Sequence, residues 1–177
     1  MVSFASVAGV DDIDDVQVSE GYVIRGHDLR GHVTDPEAYR ATHQQDSAVE
    51  AVIALSEQRF DDAMQVLDDL LTESPDSARY HALRADVLRD QGNLDAAEAV
   101  YTDLIARMSD DPVRGAMMRQ HRAKVWFHQG RLAEAEGEFA EVLAVREAAG
   151  VSDDQVASTR QALERVRLAL AEQRAAA

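Results

Sequence analysis

The feature that most constrains this fold is an internal repeat. Arg59-Phe60-Asp61-Asp62-Ala63-Met64-Gln65-Val66-Leu67 resembles Asn93-Leu94-Asp95-Ala96-Ala97-Glu98-Ala99-Val100-Tyr101, and both resemble Arg131-Leu132-Ala133-Glu134-Ala135-Glu136-Gly137-Glu138-Phe139. The central alanines, Ala63, Ala97 and Ala135, stand 34 and 38 residues apart. After each come apolar residues at offsets of four, seven and eight: Leu67, Leu70 and Leu71; Tyr101, Leu104 and Ile105; Phe139, Val142 and Leu143. Those offsets fall on one helical stripe.

A second helix of the same kind lies upstream of each copy. Val49, Ala51, Ile53 and Ala54 align with Leu83, Ala85, Val87 and Leu88, then with His121, Ala123, Val125 and Trp126. Small residues at matching places let two antiparallel helices approach closely. Gly92 and Gly130 stand between the helices, where glycine takes the left-handed conformation that ends a helix. The first copy has Gln58 there and a less well specified turn. Pro75 stops the second helix of the first copy, Asp76-Ser77 can cap the next, and Pro112 does similar work after Asp110-Asp111.

These residues resemble the tetratricopeptide repeat family from about Gln44 to Gly150. The 38-residue spacing and the stretch from Leu143 to Gly150 look more like the longer kinesin-light-chain-type units. The tryptophan usual early in the first helix is missing, since Trp126 lies nearer that helix's end. The resemblance implies an all-α helix-turn-helix solenoid, a right-handed superhelix of about three repeats (44–77, 78–115 and 116–150). A capping helix at 152–171 and an N-terminal extension at 1–43 complete the chain. In the cap, Ser152-Asp153-Asp154 opens the helix, and Val156, Leu163, Val166 and Leu170 form its apolar face. Arg160, Glu164, Arg165, Arg167 and Glu172 fall on the wet side.

Members of the family present a concave groove, lined by the first helix of each unit, to a peptide or protein segment. Carried over by alignment, that groove takes Gln45, Ala48, Val52, Leu55 and Ser56 from the first copy. The second copy contributes Arg79, Ala82, Asp86, Arg89 and Asp90, and the third Met117, Gln120, Lys124, Phe127 and His128. Arg89 and Lys124 stand where acidic or backbone groups of a ligand can be held, Phe127 where an apolar seat is wanted. Arg89 is equally open to neutralisation by Asp86 or Asp90. Chaperone-tail binders of this family clamp a terminal carboxylate with lysine and asparagine; Ala48 and Val52 stand in those places here, so no such clamp is expected.

The N-terminal extension does not match the repeat. Val16, Val18 and then Tyr22-Val23-Ile24 around Ser19-Glu20-Gly21 suggest a weak hairpin, barely stable alone. Asp35-Pro36-Glu37 is a helix start, with a helix through about Gln44. Phe4, Ile13, Tyr22, Val23 and Ile24 imply that parts of the arm dock on its own solenoid.

Charge is distributed unevenly. Of a net −15, residues 1–47 carry −6, residues 48–111 carry −10 and residues 112–177 carry +1. The basic cluster Arg114, Arg119, Arg122 and Lys124 is read as balancing the acidic second repeat or receiving residues 10–15 of the arm, the alternative being a surface for an acidic or phosphate-bearing partner. Acidity makes nucleic acid and anionic lipid poor partners. No apolar run reaches the roughly 18 residues of a membrane span, and no signal-peptide pattern opens the chain. Seventeen of eighteen bases are arginine and alanine is abundant, a bias of GC-rich bacterial genomes. The expected location is cytoplasmic.

Little points to catalysis. With no cysteine there is no thiolate metal site or thiol nucleophile. His27 and His32, five apart, would point about 140° apart on a helix, and the glycines around them favour a polar loop. His121 sits in an apolar column as a partly buried structural residue, and Tyr101, Phe139 and Trp126 fall on the core stripe. Adjacent Asp-Asp pairs point apart and belong to caps and wet faces. No phosphate loop, nucleophile elbow, zinc helix or calcium loop is present, so no metal, no cofactor and no enzyme activity are expected. The reading is a non-enzymatic adaptor or scaffold that binds another protein or peptide in the groove, with homo-oligomerisation left open. The alternative is a regulatory or sensor module for a short signalling peptide or small ligand, with the arm as its switch.

Overall fold

The repeats fold as three antiparallel helical pairs. Helix α2 (Val49–Ser56) pairs with α3 (Phe60–Glu73), α4 (Ala78–Asp90) with α5 (Leu94–Arg107), and α6 (Pro112–His128) with α7 (Leu132–Ala149). Before them comes α1 (Pro36–Thr42), and α8 (Asp153–Ala175) closes the stack against α7. The protein is described here by a computed structural model covering residues 13–176; Phe4, Asp11 and Asp12 lie outside the described residues. The six aligned alanines (Ala51, Ala85, Ala123, Ala63, Ala97 and Ala135) are at most 1% exposed, so the small columns are where the helices of each pair meet. Leu67, Tyr101, Leu104, Phe139 and Val142 are buried with them, and each helical pair has its own apolar cluster, Leu67 in the first, Tyr101 and Leu104 in the second and Phe139 in the third.

All three helix turns use one device. The amide of Arg59, Asn93 or Arg131 donates to the carbonyl five residues back, Ala54, Leu88 or Trp126, at 2.8–2.9 Å. This is the bond of a Schellman end, which needs a left-handed residue just before the donor. Gly92 (φ +86°) and Gly130 (φ +75°) provide it freely. Gln58 takes the same conformation (φ +59°), so the first turn has the common geometry despite lacking the common residue.

The N-terminal extension is more structured than its sequence suggests. Strands β1 (Val16–Ser19) and β2 (Tyr22–Ile24) form the expected hairpin, but a third strand, β3 (Gly31–Val33), pairs antiparallel with β2. Helix α1 starts at Asp35, whose carboxylate accepts from the Glu37 and Ala38 amides. It stops at Thr42 and is separate from α2.

A sheet this small needs a support, and the solenoid provides it. β1 packs on α8 and β3 on α2, so the sheet bridges the two ends of the array. Gln161 Nε2 donates to the carbonyls of Asp14 (2.7 Å) and Ile24 (3.0 Å), and Arg165 Nε to that of His27 (3.0 Å). The Val33 amide donates to Ser56 Oγ at 2.8 Å. Leu29, from the segment expected to be a polar loop, is 0% exposed and packs with Ala123, Phe139, Ala162, Leu163 and Val166 of α6–α8.

Helix α8 is therefore not a lid with one apolar face. Leu163 and Val166 seal the last pair as expected, but Arg165, expected on the wet side, is 7% exposed. Ser158, Thr159 and Gln161 are buried too, because that face meets the arm and the inner side of α6.

Candidate functional site

The first helices α2, α4 and α6 present their inner faces to the sheet. Between them lies a pocket of about 250 Å³. Val52 and Leu55 (α2), Leu83, Asp86, Arg89 and Asp90 (α4), and Met117, Gln120, His121 and Lys124 (α6) form its floor. Tyr22, Ile24 and Gly31 of the sheet stand opposite, and Arg146, Gln155 and Ser158 close the far end.

Arg89 organises the floor. It is 3% exposed, its Nη1 donates to Asp86 Oδ1 at 2.6 Å and its Nε to Asp90 Oδ1 at 2.8 Å, so both acids that could neutralise it do so. Arg30 of the arm adds a second cation, its Nε 3.3 Å from Asp90 Oδ1. The Tyr101 hydroxyl shares one proton between Asp86 Oδ1 (2.8 Å) and the Ala82 carbonyl (2.9 Å), and His121 Nδ1 lies 3.3 Å from the same carboxylate. Burial alone would raise the Asp86 carboxyl, but Arg89 and then His121 outweigh it and hold it far below the usual range. Burial likewise works against the Arg89 charge, and Asp86 and Asp90 more than restore it. Tyr22, above this cluster, is pushed up by burial and then by Asp86.

Lys124 is different. It is 3% exposed and lines the pocket, yet among the described residues it forms neither a hydrogen bond nor an ion pair. Burial, and then the neighbouring Arg89, lower its ammonium to about 8. Arg146, 5% exposed, spends Nη1 on Gln120 Oε1 (2.5 Å), Thr159 Oγ1 (2.7 Å) and the Gln155 carbonyl (2.8 Å). Its Nε and Nη2 form no hydrogen bond among the described residues.

The remaining groove positions scatter. Phe127 does not offer an open seat: it packs on the cluster that receives Leu29, with the Arg165 guanidinium 5.4 Å from its ring centroid. His128 stands edge-on to Phe127 outside the pocket, its Nε2 buried and without a partner among the described residues, and burial followed by Arg89 lowers its imidazole to about 4. Ala48 and Ala82 are buried, and Ser56 is taken by Val33 and His32. Gln45 and the outer side of Arg79 line a separate surface hollow, where Arg79 pairs with Asp46. His27 and His32 part company: His32 Nδ1 lies 3.1 Å from Ser56 Oγ, whereas His27 neighbours Asp28.

Two members of the basic cluster, Arg119 and Arg122, are balanced within their own repeat, and residues 10–12 of the arm expected to meet the cluster lie outside the described residues. Arg119 and Arg122 donate to Glu138 of α7 at 2.8 and 2.6 Å, and Arg119 also pairs with Glu141. Asp14 and Asp15 instead take part through the Asp14 carbonyl, bonded by Gln161, and the Asp15 carboxylate, bonded by the Gly26 amide at 2.8 Å. Arg146, Gln155 and Ser158 were not among the groove positions that the sequence suggests. The available signal was the polar run Ser158-Thr159 and Gln161 on a helix otherwise read as a lid.

Helical hairpins stacked side by side, with the first helix of each facing one shared surface, define a helical-repeat protein. A tetratricopeptide repeat family model matches residues 54–121, which spans the end of α2 through the first half of α6 and supports a tetratricopeptide repeat protein. No curated protein sequence matches the chain. Among the described residues, no helix is long and apolar enough to cross a membrane.

Proposed function

We propose that this chain is a non-enzymatic interaction module that takes a peptide or protein segment along the inner face of its repeats, with its own N-terminal sheet controlling how much of that face is open. Tetratricopeptide repeats generally mediate protein–protein contacts, and the match at residues 54–121 covers all of α4 and parts of α2 and α6 among the helices that carry the face. The observation that carries the reading is a slot left uncovered beyond the sheet. It lies between the outer halves of α4 and α6, measures about 180 Å³, and is lined by Ala78, Arg79, Met108, Arg114, Met117 and Met118. Met117 (38% exposed) and the nearby Val113 (39%) are two of the few large apolar side chains left in water. Methionine adapts to varied partners, and although Asp86 also lines the slot and Arg79 is paired with Asp46, the exposed Arg114 at its rim favours an apolar residue flanked by an acid.

Peptide display on the immobilised full chain tests this. Enriched peptides should carry an apolar anchor beside acidic residues, and Met117→Glu should weaken them at least tenfold. No enrichment, or enriched peptides that bind Met117→Glu equally, would refute the reading. The sensor alternative draws support from a different observation, the charged pocket beneath the sheet.

A further inference from the structure

We propose that the pocket between the N-terminal sheet and the inner faces of α4 and α6 binds a small organic anion with an apolar body, its anionic head held by Lys124 and the unspent edge of Arg146. Four cations line this pocket (Arg79, Arg89, Lys124 and Arg146) against two acids, Asp86 and Asp90. Such an excess is the reverse of a chain whose net charge is −15. Both acids are already paired with Arg89, and Arg79 with Asp46, so among the described residues Lys124 has no ion-pair partner of its own, and Asp86 and Asp90 act on it only at longer range. At neutral pH its ammonium, lowered to about 8, is still mostly protonated. A buried cation without a partner costs folding free energy, and a ligand anion removes that cost.

The rest of the lining sets the body of the ligand. Val18, Ile24, Val52, Leu55, Leu83 and Met117 give the pocket an apolar side. Since an engineered cavity of about 150 Å³ holds benzene, about 250 Å³ admits a carboxylate with a body of roughly six to ten non-hydrogen atoms. That is too small for a whole peptide segment. The pocket shares Arg79, Leu83, Asp86, Met117 and His121 with the neighbouring slot, but Lys124 and Arg146 line this pocket and not the slot, so Lys124 variants test it by itself. Because Tyr22 and Ile24 belong to the sheet, a ligand here binds only the docked arm and stabilises it by mass action.

The test uses the full chain, with butanoate, hexanoate and benzoate as carboxylate probes. Hexan-1-ol provides the body without the charge, and inorganic phosphate the charge without the body. Calorimetric titration should show saturable binding of at least one carboxylate, with the alcohol and phosphate at least tenfold weaker. Lys124→Met and Lys124→Gln should each weaken the carboxylate at least tenfold. Unliganded Lys124→Met should also melt no lower than wild type, since it removes an uncompensated charge. Failure of all three carboxylates to saturate overturns the proposal, as does equal binding by both variants or phosphate binding as tight as the best carboxylate. A lower Tm for Lys124→Met also overturns it, because Lys124 would then be a structural ion with its charge already met. Lys124 does not line the Met117 slot, so failure of these tests leaves the peptide reading of that slot standing.

Discussion

Leu29→Ala probes the link between arm and solenoid. Leu29 is wholly buried, although it comes from a bend whose backbone closes through Leu29 N to Arg25 O at 3.0 Å and Arg25 N to Arg30 O at 2.9 Å. Its side chain sits among residues of three helices, so truncation leaves a cavity that rigid helices cannot fill. Such substitutions cost about 2–5 kcal/mol. The other attachments remain: three side-chain hydrogen bonds from Gln161 and Arg165, the Val33–Ser56 bond and the Arg30–Asp90 pair. If the arm opens as a unit, the loss falls on docking rather than on the helical pairs. At about 1.4 kcal/mol per factor of ten, amides of β2 and β3 should then exchange roughly thirty- to several-thousand-fold faster. Amides of α3 and α5 should keep their protection. Hydrogen exchange read by mass spectrometry on peptides spanning 16–33 and 94–107 makes the comparison. Unchanged exchange in the arm would refute the burial of Leu29. Equal acceleration in α5 would refute a separable arm and with it the gating of the inner face.

Gln58→Gly should stabilise the protein, because an L-residue in the left-handed region costs about 1–2 kcal/mol and glycine returns roughly 0.5–1 of that as chain entropy. The net gain, about 0.5–1 kcal/mol, corresponds to a Tm rise of roughly 1–4 °C; a fall would contradict the shared turn geometry. Arg89→Met removes the main counter-charge of the buried Asp86 and leaves Asp90 only Arg30, and should cost about 3–5 kcal/mol, read as a lower midpoint in urea. Stability should also depend on pH through groups whose folded values are lowered. His128, near 4 when folded against an ordinary 6.5, makes the unfolded chain bind more protons between those values, so stability falls as pH drops through that window. Lys124, near 8 against 10.5, makes stability rise with pH between 8 and 10.5, opposed near the top by Tyr22 and Tyr101, which burial keeps protonated. Urea titrations at stepped pH should show both slopes, and Lys124→Met should lack the alkaline one.

The helical pairs were legible because their information is local and repeated. Alanine columns, apolar offsets and glycine turns lie within a few residues of one another, and three copies check each other. Even Gln58, the one turn without glycine, adopts the shared conformation, since the flanking helices impose it. The arm was not legible for the opposite reason. What fixes Leu29 is a cluster on α6, α7 and α8 more than ninety residues away, and what holds Ile24 of β2 and Asp14 ahead of β1 is Gln161 on α8. Neither leaves a periodic trace. Alignment put Arg89 and Lys124 on one surface, because column position is a property of the repeat. It did not reveal that Arg89 is consumed by Asp86 and Asp90 while Lys124 is left over. That depends on side-chain reach, and on Arg146 entering from α7.

The central claim is that the N-terminal sheet lies across the inner face of the solenoid. Nuclear Overhauser contacts from the Leu29 methyl groups test it most directly, in full-length protein with labelled leucine methyls and phenylalanine rings. The account predicts cross-peaks from Leu29 to the ring of Phe139 and to the methyls of Ala123 and Ala162. A Leu29 resonance with random-coil shifts and no contact to α6, α7 or α8 would contradict it.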